Sequence, residues 1–178
     1  MNDVLFYVVS FLLQFAAFLF VARFLLQVCR VDFYNPISQG IVKATDLVLK
    51  PVRMVLPGYG NIDFAALIAA LAANVLLIVA ASAITDQYVG SVIQILTAGV
   101  LAVIGLALFI IKWSILIVII AGFLAQGSYH PVLGMLQQLT EPVLAPARKL
   151  LPPMGGLDFS PILIFLLIGV IEQLLGRI

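Results

Sequence analysis

The stretch at residues 51–64, Pro-Val-Arg-Met-Val-Leu-Pro-Gly-Tyr-Gly-Asn-Ile-Asp-Phe, returns 95 residues later at 146–159 as Pro-Ala-Arg-Lys-Leu-Leu-Pro-Pro-Met-Gly-Gly-Leu-Asp-Phe. Pro51/Pro146, Arg53/Arg148, Leu56/Leu151, Pro57/Pro152, Gly60/Gly155, Asp63/Asp158 and Phe64/Phe159 coincide without a gap. The register continues backwards through Leu49/Leu144, Val48/Val143, Thr45/Thr140, Pro36/Pro131 and Tyr34/Tyr129. A fixed offset of this kind is an internal duplication, so whatever one copy folds into the other must also form. The copies divide the chain into residues 1–85 and 86–178.

What lies between the motifs fixes the environment. Of 178 residues, 64% are hydrophobic and only 10% charged, with a mean hydropathy of +1.24. A water-facing surface draws roughly 25–35% of its residues from the charged types, which this chain cannot supply. The composition calls for an integral membrane protein. A net charge of +1 gives no bulk attraction for nucleic acid. With one cysteine, Cys29, and one histidine, His130, neither an intramolecular disulfide nor a Cys/His metal cluster can form within one chain; no cofactor is expected. Asp3 stands where a signal peptide would be basic, so the first apolar run is expected to stay as a helix.

Residues 4–29 are long enough to cross a hydrocarbon core of about 30 Å, with Gln14 and Arg23 inside the run. Residues 36–50 differ: Ile37, Ile41, Ala44 and Val48 fall on one helical face, opposite Gln39, Lys43, Asp46 and Lys50. Asn35-Pro36 is a helix start, with a cap followed by proline at the first position. Too short and too polar to span, this segment reads as an amphipathic helix in the interface. The second copy repeats it, with Val132, Leu136, Leu139 and Val143 opposite Gln138 and Glu141. Pro51 restricts Lys50 and should end the first of these helices, and Pro57, Gly58 and Gly60 impose a turn. Asp63 and Asp158 then stand where helix N-caps belong.

Three further spans follow. Residues 64–82 carry Ala65, Ala69 and Ala73 one turn apart, a spacing that lets helices approach closely. A polar turn at Thr85, Asp86 and Gln87 leads to residues 91–124, which exceed one perpendicular span and must tilt, kink near Gly99 or Gly105, or begin outside the core. Residues 159–174 form a slightly short fourth span. Arg30, Lys43, Lys50, Arg53, Arg148 and Lys149 lie in the motif loops, while Arg177 lies on the other side with Asp3 and Asp86. The positive-inside rule then puts both loops in the cytoplasm and both termini outside. The expected fold is all-α: four transmembrane helices in two tandem parallel repeats, each with a short interfacial helix, related by an axis along the membrane normal.

The pairs Pro51-Val-Arg53 and Pro146-Ala-Arg148, with Leu56-Pro57/Leu151-Pro152 and Asp63-Phe64/Asp158-Phe159, carry a resemblance to the YggT (YlmG-like) family of bacterial membrane proteins. It covers nearly the whole chain, in the two-copy form typical of Gram-negative bacteria. The resemblance implies an inner-membrane protein with a part in osmotic or extracytoplasmic stress tolerance, and in plastid relatives in cofactor assembly and nucleoid organisation. It carries over no catalytic residues.

Several readings stand open for the polar residues. Arg53 and Arg148 snorkel to lipid phosphates, pair with Asp63 and Asp158 within a repeat or across it, or bind a substrate or ion. Lys112 lies about 18 Å and Glu172 about 20 Å from the cytoplasmic side at 1.5 Å per residue, on antiparallel helices. An ion pair is therefore expected, serving structure or an ion pathway; otherwise Lys112 snorkels. Asn74 reads as an interhelical hydrogen-bonder, and Arg23 as a snorkelling side chain. No G-x-x-x-x-G-K-[ST], G-x-S-x-G or H-E-x-x-H occurs. A non-enzymatic scaffold or assembly factor is expected, with a small oligomeric potassium or proton channel or transporter as the alternative and a membrane enzyme last. Its partners are expected to be membrane lipids, further copies of the chain or other membrane proteins, and not nucleic acid.

Overall fold

The computed structural model describes residues 2–56, 58–85, 90–124, 130–151 and 158–176. Six helices follow in order: α1 (Asn2–Val28), α2 (Pro36–Val55), α3 (Phe64–Thr85), α4 (Val92–Leu124), α5 (Pro131–Leu150) and α6 (Ser160–Leu175). Three apolar stretches are long enough to cross a membrane: Val4–Val28, Phe64–Ile84 and Val92–Gly122. The fourth expected span, α6, has 16 residues, short of the roughly 20 that a perpendicular crossing takes.

Each element starts where local chemistry puts it. Asn35 caps α2, its side chain accepting from the Ile37 amide at 2.9 Å, with Pro36 at the first helical position. The second copy keeps the proline, but His130 makes no side-chain cap bond. The expectation that Pro51 ends its helix is wrong, and its counterpart Pro146 does not end α5 either. α2 runs through Pro51 to Val55, and α5 through Pro142 and Pro146 to Leu150. All three proline rings lie on exposed faces, while the following turn is held by packing, with Val52 against the core and Ala147 buried. Tertiary contacts thereby outweigh the local cost of a proline in a helix. Beyond α2 the chain reverses at Tyr59–Ile62, whose amides and carbonyls exchange bonds of 3.2 and 3.1 Å. Gly60 takes φ 58 at the first central position of this turn, a conformation that favours glycine. Pro57, Asp86, Gln87, Tyr129, Pro152, Gly155 and Arg177 lie outside the described residues.

Packing follows the duplication. α1 lies along α3, and Ala65, Ala66, Ala69, Ala70 and Ala73 are all buried. The expected stripe is thus doubled by Ala66 and Ala70. α4 packs on α3, α5 and α6 and touches α1, and a Cβ at Gly99 would meet Val75 and Leu71 at 2.9 and 3.0 Å. That glycine is a point of close helix approach, and α4 stays one continuous helix through it. The copies also meet through α2 and α5. Asn35 Nδ2 donates to the Pro131 carbonyl at 2.7 Å, and the Asp32 amide donates to Gln138 Oε1 at 2.6 Å.

The buried faces of α2 and α5 differ. In α5, Leu136 and Leu139 of the apolar face read from sequence are buried against the protein. In α2, Ser38, Thr45 and Leu49 are buried, while Ile37 and Val48 are exposed. Of the apolar face read from the first copy, Ile41 packs against the core while Ile37, Ala44 and Val48 are exposed. Thr45 is buried at little cost because its hydroxyl donates to the Ile41 carbonyl at 2.7 Å; Thr140 does the same to Leu136 at 2.9 Å.

Candidate functional site

The duplicated motif builds the same joint twice. The last turn of α2 presents Arg53, the Tyr59–Ile62 turn brings the chain back, and Asp63 stands at the start of α3. Asp63 Oδ1 accepts from the Ala66 amide at 3.2 Å, and Oδ2 is paired with Arg53 Nη2. In the second copy Arg148 Nε donates to Asp158 Oδ2 at 2.9 Å, and Asp158 Oδ1 accepts from the Ser160 amide at 2.9 Å. Both pairs join residues ten apart in sequence, so each arginine closes its own repeat. Asp63 is a helix cap as read from sequence. Asp158 is not: Phe159 holds the cap position, and Asp158 satisfies an amide from one residue further back.

The copies differ in depth and charge. Asp63 is only 1% exposed, and Arg23 of α1 approaches it, Nε to Oδ2, at 3.6 Å. Arg23 does not snorkel. With 6% of its side chain exposed, its Nη1 donates to the Val42 carbonyl at 2.9 Å, Thr45 Oγ1 at 2.6 Å and Asp46 Oδ1 at 2.7 Å. Val118 occupies the place equivalent to Arg23, and Glu141 that of Asp46. Without a buried arginine to meet, Glu141 turns to Arg148, whose Nη1 lies 2.8 Å from both carboxylate oxygens. The first joint is therefore a network of four charges centred on buried Arg23 and Asp63, with exposed Lys50 3.6 Å from Asp46, and the second is a half-exposed chain of three.

Burial pushes the Asp46 carboxyl up, but the Arg23 hydrogen bond and the charges of Arg23, Lys50 and Arg53 outweigh it and hold the group below its ordinary 3.8. Asp158 behaves alike, burial raising it and the bonds from Arg148 and Ser160 lowering it further. A carboxylate held low when folded stabilises the protein fully above its unfolded value, and that stability is lost as pH falls through the lower folded value. Thermal unfolding in detergent should thus be flat near neutrality and fall below about pH 4. Asp46→Asn should flatten the acid limb, and an unchanged limb would show that Asp46 is not so held.

Lys112 and Glu172 meet between α4 and α6, Nζ lying 2.8 and 2.7 Å from Oε1 and Oε2. The side chains are 36% and 35% exposed. Their first-copy equivalents, Ala17 and Leu77, line a cavity of about 370 Å³ with Gln14 and Asn74. Asn74 Nδ2 donates to the Ala70 carbonyl of its own helix at 2.9 Å, correcting the interhelical bond expected for it. Among the described residues no group of three or more His, Cys, Asp or Glu side chains is placed to hold a metal ion.

Sequence reasoning missed the parts played by Thr45, Asp46 and Glu141. A signal existed: an arginine inside an apolar run requires a partner, and Thr45/Thr140 already stood among the coincident pairs.

A doubled joint carried on helices long and apolar enough to cross a membrane defines a repeat-built helical membrane protein. The chain belongs to the CCB3/YggT family, whose model matches residues 2–84 and 97–178. Its relatives include an uncharacterised protein of Pseudomonas aeruginosa, 38% identical over 98% of this chain and 89% of that one. An uncharacterised Vibrio alginolyticus protein from the region 3′ of proC is 38% identical over 97% and 93% of the two chains. The uncharacterised YggT of Escherichia coli K12 is 35% identical over 94% and 86%. No solved structure matches.

Proposed function

We propose that the chain is a four-span protein of the bacterial inner membrane, acting as a non-enzymatic scaffold or assembly factor that contributes to osmotic or extracytoplasmic stress tolerance. In this reading α6 is the fourth span, residues 1–85 and 86–178 are the two units, and α2 and α5 lie in the cytoplasmic interface with both termini periplasmic. Arg30, Lys43, Lys50, Arg53, Arg148 and Lys149 on the motif side support that orientation.

The observation that carries the reading is the repeated arginine–aspartate joint, which spends the motif's charges on fixing a corner between two helices. Arg23 closes the first corner, Asn74 bonds its own helix, and Lys112 meets Glu172 between α4 and α6. These polar side chains serve three separate places, and a conduction path would need them in line.

Potassium tracer uptake separates the scaffold from the channel reading. Proteoliposomes of the folded protein should take up no more tracer than empty liposomes, and cells lacking the chain should recover slowly from hyperosmotic shock until it is restored. Uptake that Lys112→Ala alters would establish the channel instead. Recovery indifferent to the chain would remove the stress role.

A further inference from the structure

A cavity of about 430 Å³ opens beside the first joint, where the end of α1, the face of α2 and the motif turn converge. Arg23, Arg30, Arg53, Ser38 and Asn61 supply its polar walls. Of the three guanidinium groups, Arg23 is matched by Asp46 and Asp63, and Arg53 by Asp63. Arg30 meets no carboxylate among the described residues. Its Nε and Nη2 face the side-chain oxygen of Asn61, at 2.5 and 2.8 Å once that amide is oriented to accept. Three positive charges against two negative leave one uncancelled.

Ser38 provides an independent sign. It is 3% exposed, and its hydroxyl has no hydrogen-bond partner among the described residues. A buried hydroxyl without a partner costs free energy that a ligand oxygen would recover. The end of α1 contributes a third feature: Val31 N bonds the Leu26 carbonyl and Arg30 N that of Gln27, a helix stop whose left-handed position normally belongs to glycine. Here Arg30 takes it, at φ 54, which sets the arginine at the cavity wall.

None of these four residue types recurs at the equivalent positions of the second copy. Val118, Ala125, Leu133 and Gly156 stand at the places of Arg23, Arg30, Ser38 and Asn61. This set of polar side chains therefore belongs to the first repeat and not to the shared corner.

We propose that this cavity binds one phosphate group, held by the guanidinium groups of Arg30 and Arg53 and by the Ser38 hydroxyl. Guanidinium donors match phosphate oxygens in planar pairs, and each such bond is charge-assisted. The phosphate belongs either to an anionic phospholipid headgroup or to a free phosphate ion. The lipid source rests on the membrane reading above, since it requires the end of α1 to lie at headgroup depth; the free ion does not.

The test is native mass spectrometry of the full-length, delipidated protein, titrated with phosphatidylglycerol, with diacylglycerol, and with inorganic phosphate. The wild type should retain one phosphate-bearing ligand. Arg30→Gln and Ser38→Ala should each weaken it by about tenfold, while Lys149→Gln on the second copy should not. Ser38→Ala removes only an unpartnered hydroxyl, so it should fold at least as well as the wild type and keeps the test open if Arg30→Gln does not fold. Phosphatidylglycerol retained without competition from inorganic phosphate identifies the headgroup; displacement by inorganic phosphate identifies the ion. Equal retention by wild type and Ser38→Ala, or equal loss with Lys149→Gln, overturns the site. Extraction of the protein from membranes by alkali would overturn the membrane reading and leave the inorganic phosphate arm standing.

Discussion

Asp63→Asn should be the most damaging single conservative change in the molecule, lowering stability by about 2–4 kcal/mol. The substitution keeps the side chain's shape and an oxygen for the Ala66 amide, so the helix start is nominally preserved. What it removes is the negative charge between Arg53 and Arg23. Arg23 retains Asp46, but Arg53 loses its carboxylate at a site where Asp63 itself is almost wholly buried. Arg23, only 6% exposed, cannot recover solvent to compensate, whereas Arg53, 34% exposed, recovers part of its hydration. The equivalent Asp158→Asn should cost only about 1 kcal/mol or less, because the pair is a third exposed and Arg148 keeps Glu141. Thermal unfolding in detergent, read beside the amount of protein in the membrane fraction, compares the two. Losses of equal size would mean that the buried network of the first copy is no stronger than its half-exposed counterpart.

The second large effect concerns Lys112 and Glu172. Glu172→Gln should reduce stability by about 2–3 kcal/mol by leaving an ammonium group without a counter-ion on a membrane-spanning helix. Lys112→Glu should do at least as much, setting two carboxylates together. The exchange Lys112→Glu with Glu172→Lys should recover most of the loss. Failure of the double variant to accumulate above either single change would show that the two charges act independently.

These residues also show what a chain of this kind discloses before it folds. The Lys112–Glu172 contact was legible because two antiparallel helices convert sequence distance into depth, and a charge at that depth has few places to go. The Arg53–Asp63 and Arg148–Asp158 pairings were legible as one of three readings, beside lipid snorkelling and ligand binding, since a spacing of ten across a turn allows closure within a repeat. The company that Arg23 keeps was not legible. Asp46 and Thr45 reach it only because α2 lies with its Ser38–Thr45–Leu49 face against α1, whereas periodicity had marked out only an apolar face of Ile37, Ile41, Ala44 and Val48. Helical periodicity finds the apolar face of a segment; it does not say whether that face meets protein or lipid. Pro51 misled for a related reason, because a local rule about helix endings gave way to contacts made by the next turn.

The short α6 has a consequence for the lipid around it. Sixteen residues reach about 24 Å, some 6 Å less than a typical hydrocarbon core. If α6 spans, the bilayer beside it must pinch inward, an elastic distortion on the order of 1–3 kcal/mol. Glu172 stands three residues before the end of α6 at Leu175, so the dimple draws water down to within a helical turn of the Lys112–Glu172 contact. The two charges then sit at the floor of a shallow wet notch on the far leaflet. Two molecules that bring their dimples together share one distortion between them, which draws copies of the chain toward each other without any dedicated interface.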